Sequence, residues 1–113
     1  MDDEVKPFLP LSTAELYILL ALAGEPRHGY GIIQEIRRQS GGEYRIGPGT
    51  LYDNLQKLME NGAVREFLSR GKDARRRYEL TELGQRVLAA DTERLRLIVR
   101  QASVRLRALE VRR

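Results

Sequence analysis

The chain has 113 residues, 42% of them apolar, which suits one compact domain carrying an appended element whose apolar side needs a partner. It has no cysteine and one histidine, which excludes disulfides and thiolate metal sites and leaves no expectation of a metal or other cofactor. The net charge of +4 hides an asymmetry, since residues 1–62 carry six Lys/Arg against nine Asp/Glu and residues 63–113 carry fourteen against seven, so the C-terminal half predicts an acidic partner, nucleic acid before anionic membrane.

The opening "MDDEVKPF" is acidic and leads into no signal-peptide core, and the longest apolar run, residues 16–23, is too short to span a bilayer. A soluble, cytoplasmic protein with no membrane partner is expected. Ser12 followed three residues later by Glu15 forms a capping box, with Leu11 and Leu16 placed as a hydrophobic staple, so a first helix starts here. "TAELYILLALAG" is apolar nearly all round, which predicts a buried central helix ended by Gly24 and Pro26. A second helix follows over residues 29–40, with Ile32, Ile33 and Ile36 on one side and Gly41-Gly42 as its stop.

The third helix is announced by "IGPGTLYDNLQKLMENGAV". Pro48 fits a first helical turn, where its missing N–H has no intrahelical acceptor, and Asn61-Gly62 supplies a left-handed cap at the far end. Leu51, Leu55, Leu58 and Met59 fall on one face, while Thr50, Asp53, Gln56, Lys57 and Glu60 point away and Tyr52 sits at the border. After Gly62 the period changes. Residues 64–68 and 75–80 read as two strands around a turn at 69–73, a hairpin with six Lys/Arg against three acids between Arg65 and Glu79. Thr81 then caps a last helix running nearly to the C-terminus.

Three short helices followed by a basic hairpin is the order of a winged helix-turn-helix, so the fold class is mainly α with a small β-hairpin, plus a long C-terminal helix. Residues 1–80 form the DNA-binding domain with its wing at 64–80, and residues 81–113 the dimerisation helix. In such a fold the third helix enters the major groove by its N-terminal part, and the hairpin lies along the backbone or reaches toward the minor groove. Gly47 and Gly49 lack side chains where phosphates would come close, and the helix N-terminus offers free N–H groups to an anion; the bland reading is a tight turn. The DNA-binding candidates are Gly49, Thr50, Tyr52, Gln56 and Lys57 on the helix and Arg70, Lys72, Arg75 and Arg77 on the wing. Asp53 would repel phosphate unless it accepts a cytosine amino group or orients a cation. Arg75, Arg76 and Arg77 alternate across a strand, and Arg76, sharing the face of Tyr78, is read as the partner of an acid. His28 is read as a hydrogen-bonding fixture before a pH sensor, and Tyr30 equally as a packing residue or a backbone contact.

"HGYGIIQEI" at 28–36, "GPGTLYDNLQKLMENGAV" at 47–64 and "RRRYELTELGQRVL" at 75–88 resemble, in this order and spacing, the successive signatures of the PadR family of transcriptional regulators. The resemblance covers almost the whole chain and resembles most the compact branch of the family, with a single helix after the wing. It implies a homodimeric DNA-binding protein, usually a repressor, dimerised through its C-terminal helix, and it lends most support to Thr50 and Tyr52. It also implies a small effector. In the compact branch a planar ligand can lie between aromatic side chains at the dimer interface, but this chain has no tryptophan and no aromatic residue in its last helix. A small hydrophobic effector would therefore meet Leu, Val and Ile, with Tyr17 or Phe8 as contributors from the first helix region.

The last helix carries its own signal. Leu88, Leu95, Ala102 and Leu109 recur every seven residues, Thr92, Val99 and Leu106 form a second series offset by four, and Ile98 widens the stripe. The alternative is that this stripe packs on the chain's own first helix. Its length of roughly 40 Å at 1.5 Å per residue favours a homodimer seam. Two reading helices related by a two-fold axis then reach half-sites roughly 34 Å apart on double-stranded DNA, an inverted repeat. The remaining arginines of this helix are read as a solvated surface. No acid, base and nucleophile converge as an enzyme requires. A winged helix serving only protein interaction is the rival reading, because fold alone does not fix function.

Overall fold

In the computed structural model, which describes residues 2–71 and 75–112, the chain runs as helix α1 (Thr13–Leu22), strand β1 (Arg27–His28), helices α2 (Gly29–Gln39) and α3 (Pro48–Glu60), strands β2 (Val64–Leu68) and β3 (Arg76–Leu80), and helix α4 (Glu82–Val111). This is a winged helix-turn-helix extended by one long helix. The capping box at α1 is formed: the Ser12 hydroxyl accepts from the Glu15 N–H at 3.1 Å and the Glu15 carboxylate accepts from the Ser12 N–H at 2.9 Å. Helix α3 starts at Pro48 and closes with Gly62 at φ 84°, a conformation that a side chain would strain.

The sheet has three strands in the order β1-β3-β2, all antiparallel, with Val64 opposite Leu80 and Leu68 opposite Arg76. The hairpin therefore acquires a third member, β1, through Arg27 opposite Tyr78 and His28 opposite Arg77. A two-residue strand carries no readable alternation, so the sequence presents it only as a connection. Its effect is to tie the wing to the first residues of α2.

The core lies where α1, α2 and α3 meet, with Ile18, Leu19, Ile32, Ile36, Leu51, Leu55 and Leu58 fully buried and Val87 closing it from α4. Val5, in the N-terminal arm, is also buried, and Arg86 of α4 holds that arm by ion pairs to Asp2 and to Glu4, the latter at 3.3 Å. Tyr17 stacks on Tyr44 with ring centroids 4.8 Å apart, which gives this aromatic a packing role.

Glu35 is a buried acid within α2. It accepts from Nε and Nη2 of Arg38, at 2.7 and 2.6 Å, and stands 3.7 Å from Arg27, whose Nε donates to the Ala21 carbonyl at 2.7 Å. The Arg38 hydrogen bonds, helped by the Arg27 charge, hold the Glu35 carboxyl below its ordinary range. A carboxyl depressed in the folded state contributes stability that is fully present above its unfolded value of about 4.3 and is lost as pH falls through the folded one. Glu35→Gln is therefore expected to lower the urea midpoint near neutral pH, and the difference from wild type should vanish in acid. A difference that persists below that range would assign the cost to packing instead.

Helix α4 divides in two. Gly84, Val87 and Asp91 are buried against the rest of the molecule, the Asp91 carboxylate accepting from Arg94 Nε at 2.7 Å, and Leu83, Leu88 and Ala90 pack on the core. From residue 96 every described residue except Ser103 is exposed. This half projects as a free rod and gives the molecule extents of 63 × 34 × 23 Å. Among the described residues no helix is long and apolar enough to cross a membrane, and no three His, Cys, Asp or Glu side chains gather as a metal site would require.

Candidate nucleic-acid interface

Packing of Leu51, Leu55 and Leu58 into the core fixes the rotation of α3 about its axis, and the opposite face is left in solvent. Gly49, Thr50, Tyr52, Asp53, Gln56, Lys57 and Glu60 are all exposed. Some of these groups are engaged along the helix. Gln56 donates to Glu60 at 3.1 Å, and Asn54 turns its amide back onto the Thr50 carbonyl at 2.8 Å. Lys57 has its side chain in solvent on the same side.

The two glycines at the start of α3, Gly47 at its N-cap and Gly49 in its first turn, have no internal explanation. Gly47 has φ −85° and Gly49 lacks a positive φ, so any residue could adopt either conformation. A Cβ at either position would have nothing within 4 Å. Neither conformational freedom nor lack of room requires glycine here, although each glycine costs the chain entropy on folding. What the absent side chains leave is bare backbone at the N-terminus of α3, where the free N–H groups and the positive end of the helix dipole face outward.

Between the start of α2, helix α3 and the wing runs a groove lined by His28, Gly29, Tyr30, Tyr52, Arg75, Arg76 and Tyr78. His28 caps α2, its Nδ1 accepting from the Gly31 N–H at 3.1 Å, so it is a hydrogen-bonding fixture in the tautomer that carries its proton on Nε2. Tyr30 is 65% exposed, which removes the packing role considered for it. Burial, reinforced by the Glu66 carboxylate, pushes the Tyr78 phenol above its ordinary range.

On the wing, Arg70 is exposed near the tip, whereas Lys72 lies outside the described residues. Arg75 is exposed and lines the groove, with a partner of its own. Strand alternation sends Arg76 and Tyr78 to one face and Arg77 to the other, beside its cross-strand neighbours His28 and Phe67. Arg76 pairs with Glu66 at 3.7 Å, as its position suggests, yet it also enters the groove beside Tyr52. The structure thus gathers Tyr52, Arg75 and Arg76 and separates Arg77 from them. Arg76 thus pairs with an acid and also lines the groove, a second position that its shared face with the inward Tyr78 allows.

The seam candidates fall on both halves of α4. Leu88 and Leu95 are half-buried, Leu88 against the chain's own core, while Ile98, Val99, Ala102, Leu106 and Leu109 are exposed. Leu97 and Val104 add to the exposed apolar surface of the rod.

The PadR profile, described as the transcriptional regulator PadR-like family, matches residues 18–90. The chain is 34% identical over 91 residues to the transcriptional regulator Rv3488 of Mycobacterium tuberculosis, covering 80% of this chain and 82% of that one. It is 39% identical over 75 residues to an uncharacterized 37.1 kDa protein in transposon TN4556 of Streptomyces fradiae, a match covering 66% of this chain but 21% of that longer one. Among solved structures, a PadR family transcription regulator from Clostridium difficile superposes with a TM-score of 0.74 at 21% identity, over 84% of this chain and 99% of the other. PadR of Bacillus subtilis, solved in complex with operator DNA, superposes with a TM-score of 0.62 at 23% identity, over 72% of this chain and 47% of the other. The fold, the profile match across most of the winged domain and the Mycobacterium relative together establish that this chain belongs to the PadR-like family of transcriptional regulators, which are not enzymes.

Proposed function

We propose that the chain binds double-stranded DNA sequence-specifically as a homodimer on an inverted repeat and acts as a cytoplasmic transcriptional repressor. Residues 1–80 serve as the DNA-binding domain and residues 81–113 as the dimerisation helix. The observation that carries this reading is the pair of glycines at 47 and 49, which no internal contact or backbone conformation explains and which leave the start of α3 open to phosphates. The exposed face of α3 behind them supplies Thr50, Tyr52 and Gln56 for base or backbone contact and Lys57 for phosphate, and the wing adds Arg70, Lys72, Arg75, Arg76 and Arg77. The B. subtilis PadR complex with operator DNA, on the same fold, supports this use of the surface.

The free half of α4 supports the dimer. Leu97, Ile98, Val99, Val104, Leu106 and Leu109 are each at least 50% exposed, an apolar surface too extended for a rod left alone in water. A small hydrophobic effector has a candidate seat in a cavity of about 560 Å³ at the root of this helix, lined by Leu22, Pro26, Leu80, Leu88 and Ala89 with Glu25 and Glu79 at its polar side.

Selection of bound duplexes from a random pool, followed by a salt titration, tests the reading. An inverted repeat and a linear fall of log affinity with log salt are expected. Absence of duplex binding at low salt would leave a protein-interaction module. On the selected duplex, Tyr52→Ala is expected to weaken binding roughly tenfold, within the range for one lost groove contact. Its sedimentation and thermal melt should stay those of wild type, since Tyr52 is half exposed.

A further inference from the structure

Gly29 is the first residue of α2, is buried, and has an unexceptional negative φ, so its conformation gives no reason for glycine. Alanine would serve the helix at least as well, because glycine lowers helix stability. The reason is steric and lies on another helix. A Cβ built on Gly29 would fall inside contact distance of the Tyr52 hydroxyl and 2.9 Å from its ring Cζ, and the three atoms nearest to it all belong to Tyr52. The phenol of the reading helix thus lies across the bare Cα of Gly29.

The floor beneath that phenol is rigid. The His28 cap fixes the first turn of α2 through Gly31, and the pairing of Arg27 and His28 with Tyr78 and Arg77 fixes it against the wing. Tyr52 is the movable member, since its side chain is half exposed and a rotation about its first torsion carries the ring out into solvent. A side chain at 29 would therefore move Tyr52 and leave the backbone where it is.

We propose that Gly29 is a positioning residue for DNA binding: by lacking a side chain it lets the Tyr52 phenol lie in the groove between α2, α3 and the wing, and so sets where Tyr52 meets the duplex. This rests on the reading of Tyr52 as a DNA contact. Gly29 itself needs no contact with DNA. The same contact ties the start of the second helix to the reading helix, so the "HGYG" and "GTLY" segments act as one unit at the surface.

The test is a four-member cycle of wild type, Gly29→Ala, Tyr52→Ala and the double variant. Each is measured for thermal unfolding and for affinity to the duplex that the wild-type chain recovers from a random pool. Gly29→Ala is expected to melt at or slightly above the wild-type temperature while binding roughly tenfold more weakly, and the double variant should bind no more weakly than Tyr52→Ala alone, the non-additivity of residues in direct contact. Additive losses would overturn the proposal by showing that position 29 acts without Tyr52, as would wild-type affinity in Gly29→Ala or loss of its cooperative melt. Wild-type affinity in Tyr52→Ala would instead remove the contact on which the proposal stands. Failure of the wild-type chain to recover any duplex would overturn the DNA-binding reading itself.

Discussion

Gly84→Ala is expected to cost roughly 3 kcal/mol, at the upper end of what overpacking exacts, because the atoms in its way are backbone. A Cβ at Gly84 would lie 3.0 Å from the carbonyl carbon of Ala63 and closer still to its oxygen. That carbonyl cannot retreat. It accepts the Thr81 N–H at 3.1 Å, Ala63 in turn donates its N–H to Leu58 at 2.9 Å, and the preceding Gly62 is held at φ 84°. Thr81 completes the junction, its hydroxyl donating to the Gly62 carbonyl at 2.6 Å and accepting from the Gly84 N–H at 3.0 Å. The root of α4 is thus backbone packed on backbone, with no flexible side chain to give way. Denaturant midpoints check the expectation, and Gly49→Ala provides the contrast, since its Cβ would project into open space. Near-equal stability of Gly84→Ala and wild type would mean that the first turn of α4 slides freely on the α3–β2 turn.

In the proposed homodimer, Leu106→Asp is expected to raise the dissociation constant by roughly a hundredfold or more, since a two-fold interface receives each substitution twice and a desolvated unpaired carboxylate is costly. Leu106 is 60% exposed in the isolated protomer, so the winged domain should keep its melt while sedimentation shows a monomer. Affinity for an inverted repeat should fall with it, because two half-sites are then bound independently. A Leu106→Asp chain that sediments as a wild-type dimer would place the interface away from the heptad series.

The parts of this fold that one dimension displays are those in which a periodic pattern meets an unambiguous stop. In α3 the leucines at 51, 55 and 58 repeat with the helical period between Pro48 and Asn61-Gly62, so its extent, buried side and free side were all legible. The capping box of α1 was equally plain. What escaped reading depends on contacts between distant segments. Strand β1 is defined only by its pairing with β3. The division of α4 at about residue 96 depends on how far the three-helix core extends beneath it, and Asp91 is fully buried on a stripe where the pattern calls for an apolar residue. Gly29, Gly49 and Gly84 look alike in a sequence. Space decides between them: one is bare for a neighbouring side chain, one for a neighbouring backbone, and one faces nothing within the molecule.

At 30 residues and about 1.5 Å each, α4 is a lever of about 45 Å. It is hinged to nothing, because the turn that stops α3 is the same turn on which α4 is seated. Helix α3 and this lever therefore form a single bracket, so that in the proposed homodimer a change in the angle at which two levers cross would swing the paired α3 helices relative to one another. In the proposed homodimer, anything that wedges or relaxes that crossing would reset the span between the two α3 helices as a caliper does, without altering the surface proposed to meet the duplex.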